Sequence, residues 1–115
     1  MISKELLSKV LDTTIVDIYT EPHLKVLWYS TTSNRINREI NIHELAYRCK
    51  EWAYTKGYDI VTIRVEKDVY RGLCYEEDGD WEDFVFECNS CTEPKTIFKA
   101  CQWILDKNKE KLNES

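Results

Sequence analysis

The chain has little of what marks a specialised sequence class. With 3 Gly and 2 Pro in 115 residues, it lacks the punctuation of collagen-like, low-complexity or linker segments. No apolar run approaches the length needed to cross a bilayer. The opening "MISKELLSKVLD" has its apolar residues at helical spacing instead of in the unbroken block of a signal peptide, so an unexported, soluble protein is expected. No P-loop, dinucleotide fingerprint or nucleophile elbow occurs, and neither His23 nor His43 has an evident Ser or Cys partner in sequence. Catalysis is therefore not expected, and no cofactor is implied.

Positive charge is missing from one long stretch. Residues 72–94 contain eight Asp or Glu and no Lys or Arg, within a chain of formal charge −5. Phosphate binding is disfavoured there, and the Arg residues elsewhere are scattered. A nucleic-acid binder needs a basic face that releases counterions, so no nucleic-acid partner is expected. Five Cys is an odd number in a chain read as unexported, which points to reduced thiols in a cytoplasm.

What is present supports one folded domain. Apolar residues make up 43% of the chain and charged residues 32%, a balance able to build a single core over residues 1–115. Leu6, Leu7, Val10 and Leu11 space a first helix of two to three turns. "TTIVDIYT" and "HLKVLWYST" are β-rich and flank "EP", which predicts a hairpin with Pro22 in its turn. A polar loop carrying Arg35 and Arg38 should follow.

The strongest periodicity lies in "NIHELAYRCKEWAYTKGY". Ile42, Leu45, Ala46, Cys49, Trp52 and Ala53 share one helical face, Asn41 and Glu44 stand at capping-box spacing, and Gly57 suits the end. Val61, Ile63 and Val65, then Val69, Arg71, Leu73 and Tyr75, run at a period of two and predict two strands. Asp78-Gly79 predicts a tight turn into a third strand with Phe84, Phe86 and Cys88 on its inward face. From Thr92, with Pro94 in the first turn, Ile97, Cys101, Ile104 and Leu105 return to helical spacing. The expected order is α-ββ-α-βββ-α, an α+β domain whose largely antiparallel sheet is covered by helices. Leu45, Cys49, Trp52, Phe98, Cys101 and Ile104 should be largely buried in its core.

Two groups could carry function. Cys88 and Cys91 form one Cys-x-x-Cys pair, with Cys74 as a third candidate thiol for a small metal- or redox-active module. Zinc needs about four ligands and no second pair exists, while Cys49 and Cys101 sit on core stripes. A redox Cys belongs at a helix N-terminus, yet both members precede the expected cap at Thr92. The second group is the acidic cluster Glu76, Glu77, Asp78, Asp80, Glu82 and Asp83. It does not match a calcium loop; it is either a solvated turn or a surface for a basic partner. The aromatic residues mostly fit core or sheet positions and lack the interleaved basic residues of a base-stacking platform.

"EINIHELAYRCKEWAYTKGY" and "TEPKTIFKACQWILDKN", with the strands between them, resemble a group of small uncharacterised bacteriophage and prophage proteins, similar in outline to the phage α-β-α sandwich domain. The similarity covers about residues 39–108, and the opening "MISKELLSKVL" is also similar to that group; the central strands follow no set pattern. The resemblance implies a phage or prophage origin, a cytoplasmic setting in a bacterial host and no particular activity. Together with the charge pattern, it leads to an expectation of a non-enzymatic accessory protein that contacts a basic host or phage protein through residues 76–83.

Overall fold

The computed structural model describes residues 2–20, 25–31, 37–77 and 83–113. Ser3 caps the first helix, α1 (Lys4–Leu11), by accepting a hydrogen bond from the Leu6 N–H, and Asp12 ends it in a left-handed conformation. Leu6 and Leu7 are fully buried. The strands β1 (Ile15–Thr20) and β2 (Val26–Thr31) pair antiparallel as the hairpin pattern predicts, with Pro22 outside the described residues.

A third strand, β3 (Asn37–Asn41), stands where the sequence predicts a polar loop around Arg38; Arg35 lies outside the described residues. Its residues, Asn-Arg-Glu-Ile-Asn, have almost no β-forming signal of their own. The strand forms because it pairs along β2, setting Ile40 opposite Leu27 so that both are buried. The Ile42 N–H also donates to the Lys25 carbonyl at 2.9 Å, tying the next helix to the start of β2. Among the described residues the order is therefore α-βββ-α-βββ-α, with one strand more than expected.

Asn41 closes β3 and caps α2 (Ile42–Thr55), its Oδ1 accepting from the N–H groups of His43 and Glu44 at 2.8 and 3.3 Å. The capping box is incomplete: the Glu44 carboxylate instead meets Arg48 one turn on, at 3.3 Å. Gly57, at φ 88, supplies the left-handed residue beyond the helix end. Strands β4 (Tyr58–Glu66), β5 (Val69–Glu76) and β6 (Phe86–Ser90) then form a second antiparallel sheet in the order β4-β5-β6. The closing helix, α3 (Glu93–Asn113), starts where the Thr92 hydroxyl accepts from the Lys95 N–H.

The Cα trace measures 46 × 43 × 18 Å, the thickness of two packed layers. The helices touch one another; α3 lies across β4, β5 and β6, α2 against β3 and β4, and α1 against β1. This is an α+β domain with two three-stranded antiparallel sheets where the sequence pattern suggests one. Leu45, Cys49, Phe98, Cys101 and Ile104 are buried as expected. Trp52 is partly buried, packed against the margin of the core. Trp103, also partly buried, is stacked on Phe86 with ring centroids 5.0 Å apart and edge-on to Tyr58 at 5.8 Å.

α3 approaches the sheet closely at Gly72. A Cβ there would stand 2.5 Å from Thr96 Cγ2 and 3.1 Å from Cys88 Sγ. Thr96 cannot swing away freely, because it is buried and its hydroxyl donates to the Thr92 carbonyl at 2.8 Å. Gly72→Ala is therefore expected to lower stability by about 1–3 kcal/mol through overpacking. Urea denaturation checks this, and an unchanged midpoint would show that α3 lifts off the sheet at little cost.

Candidate functional site

The Cys-x-x-Cys pair is divided by strand geometry. Along β6 side chains alternate between faces, so Cys88 and a residue three positions later leave on opposite sides. Cys88 stands opposite Gly72 and faces α3, where its thiol donates to the Thr96 carbonyl at 3.5 Å. Cys91 lies past the strand, exposed, and its sulfur accepts from Lys95 Nζ at 3.6 Å. Cys74 shares the inward face with Cys88 and is fully buried.

Electrostatics oppose thiolate chemistry at the inward thiols. Burial pushes the Cys74 thiol up to about 12, with the neighbouring Cys88 adding to the effect. Burial also raises Cys88, although the Lys99 charge and a hydrogen bond from the Gly72 backbone pull the other way. Between the helices, Cys101 donates to the Cys49 carbonyl at 3.3 Å, and its thiol is held far above the ordinary range, first by its contact with Cys49 and then by burial. A nucleophilic or metal-binding sulfur needs the opposite shift. Among the described residues, no group of three His, Cys, Asp or Glu is placed to hold a metal ion.

The acidic stretch is only partly described. Glu76 ends β5, opposite Tyr58, and Glu77 donates its N–H to the Gly57 carbonyl at 2.9 Å; both side chains are exposed, as is Asp83. Asp78, Gly79, Asp80, Trp81 and Glu82 lie outside the described residues. The expected turn at Asp78-Gly79 lies there too, outside the described residues; to either side β5 ends at Glu76 and β6 begins at Phe86, with Cys74 opposite Phe86.

Phe84 departs from expectation, because it precedes β6 and does not face inward. The chain bends at Val85, whose N–H donates to the Cys74 carbonyl at 2.8 Å, so the strand alternation does not extend back to Phe84. Phe84 lies instead on the outer face of the sheet, edge-on to Tyr75 at 6.5 Å, with the Arg71 guanidinium 5.8 Å from its ring centre. Arg71 Nε is also 2.6 Å from a Glu87 oxygen, a charge contact whose N–H is not aimed along it. On this face Leu73 is only 7% exposed. Glu77 and Phe84 are thus each held, the first by its bond to Gly57 and the second by Tyr75 and Arg71.

Sequence spacing did not connect this segment to α2. The Tyr54 hydroxyl has its pKa raised, first by the charge of Glu77 and by a hydrogen bond to it, with smaller contributions from its slight desolvation, Asp59 and Glu51. The charges that raise it, Glu77, Asp59 and Glu51, come from three different elements or their ends. The chain reversal at Gly57 brings the end of α2, the start of β4 and the end of β5 together, so the acidic surface is wider than residues 76–83. A separate hollow of about 170 Å³, lined by Ile2, Lys95, Phe98, Lys99 and Gln102, is smaller than ordinary ligand pockets. No helix among the described residues is long and apolar enough to cross a membrane.

Compared with known proteins, the chain matches no family model, no curated protein and no solved structure.

Proposed function

We propose that this chain is a non-enzymatic accessory protein of phage or prophage type, acting in the host cytoplasm through contact with a basic host or phage protein. The observation that supports this reading is the shared acidic surface of Glu51, Asp59 and Glu77 around the exposed Tyr54, continued by the exposed Glu76 and Asp83. Exposed carboxylates beside an aromatic ring suit Arg and Lys side chains, which gain Coulomb attraction from the first and cation–π contact from the second.

Charge-led binding of this kind weakens as salt rises, because screening shortens to about 8 Å at physiological ionic strength and further beyond it. In a pull-down from lysogenic or infected cells, the wild-type chain is expected to retain a basic protein at low salt and release it at high salt. The combined variant Glu76→Gln, Glu77→Gln, Asp80→Asn, Asp83→Asn should keep its far-ultraviolet circular dichroism and lose that partner. Capture of the same protein by the folded variant would reduce the acidic surface to a solubility feature. Loss of folding would assign the carboxylates a structural role instead.

A further inference from the structure

Strand β4 is hydrogen-bonded along one side only. Its partner is β5, and among the described residues no backbone hydrogen bond is made on its other side. Free edges are normally kept short or masked, because their unpaired N–H and C=O groups recruit other strands. This one is nine residues long, and Ile63 and Val65 stand 46% and 55% exposed along it. On the outer face of the sheet, Val61 lies opposite Leu73 and Ile63 opposite Arg71, so the apolar surface under Phe84 continues out to the open edge.

We propose that β4 is a dimerisation strand that takes a second copy of itself. Two β4 strands related by a two-fold axis near Thr62 run antiparallel, and the segment from Ile60 to Arg64 is self-complementary in that arrangement. Thr62 meets Thr62, Val61 meets Ile63, and Ile60 meets the aliphatic stem of Arg64; no two like charges face each other. Directly opposed residues in an antiparallel pair point to the same face, so Val61 and Ile63 of both copies form one apolar row on the outer face. The result is a six-stranded sheet in the order β6-β5-β4-β4-β5-β6. The irregularity between Arg64 and Glu66 breaks the ladder just beyond this segment. The paired length is therefore short and the interface smaller than the standard size of about 1,600 Å², which makes the dimer dependent on concentration.

Sedimentation velocity of the full chain, from micromolar to near-millimolar concentration under reducing conditions, tests this. The wild type is expected to move from one chain to two, and amide exchange at residues 60–64 should slow as the dimer fills. Ile63→Lys should weaken dimerisation by about tenfold or more. Val16→Lys, at an exposed position on β1 of the other sheet, should leave it unchanged. Circular dichroism confirms that both variants fold, and the exchange measurement needs no variant if one does not. A monomer at every concentration, a dimer that survives Ile63→Lys, or exchange at residues 60–64 that is independent of concentration would each overturn the proposal.

Discussion

Ile104→Ala should lower the stability of this domain by about 2–5 kcal/mol, the range for deleting a large aliphatic side chain from a close-packed core. Ile104 has no exposed surface and belongs to the same core cluster as Leu45, Cys49 and Cys101, on a helix that packs against α2, β4 and β5. The neighbours cannot collapse easily into the gap, because α3 is held at Gly72, where its Thr96 already touches the sheet. Trp52→Ala supplies the contrast. Full burial would put its cost at about 3–5 kcal/mol, but Trp52 is half-buried at the core margin, so its effect should be the smaller of the two. Urea unfolding followed by circular dichroism ranks the variants. A Trp52→Ala loss larger than that of Ile104→Ala would mean that the core is centred on α2 and its margin, not on α3.

The second large effect is alkaline destabilisation. In the folded chain Cys74 keeps its proton up to about 12, whereas an ordinary thiol releases it near 9.0. Above pH 9 the unfolded chain therefore binds fewer protons than the native one, and stability falls as pH rises. The contribution is complete below pH 9 and is lost between pH 9 and about 12, at up to roughly 1.4 kcal/mol per pH unit for one thiol. Cys88 and Cys101 are raised as well and act with the same sign. Unfolding free energies measured at pH 8 and at pH 10.5 under reductant should differ, and Cys74→Ala should flatten the dependence by one thiol's share. The same slope in that variant would show that Cys74 is not protected from ionisation. Lys and Tyr groups also titrate in this range, so the comparison with the variant isolates Cys74.

The two outcomes bear on function through the same residues. A thiol that must stay protonated for the fold to hold is a packing group, and Cys74 and Cys88 then belong to the helix–sheet contact around Gly72. Exposed charge does not have that constraint. Glu76, Glu77 and Asp83 are exposed, so their neutralisation is expected to leave the core undisturbed.

Local sequence determined the helices. Asn41, Ser3 and Thr92 cap helix starts because short polar side chains accept from the first free N–H groups, a relation spanning two or three residues. The apolar spacing of Leu45, Cys49, Cys101 and Ile104 chose the buried faces, since a helix repeats its direction every 3.6 residues wherever it lies.

Tertiary structure decided the rest. The strand β3 has only Ile40 to mark it and forms by pairing with β2, an interaction outside its own five residues. The split into two sheets depends on which strand edges meet, and no residue within β3 or β4 encodes that choice. The entry into β6 was set in the same way: the bond from Val85 to Cys74 and the seat of Phe84 on Arg71 and Tyr75 take Phe84 off the face that its spacing to Phe86 and Cys88 suggested. The acidic surface and the open edge of β4 arise in the same way. Charge and apolar residues are written in the chain, but which of them stand together, and which are left facing water, follows from contacts between segments far apart in sequence.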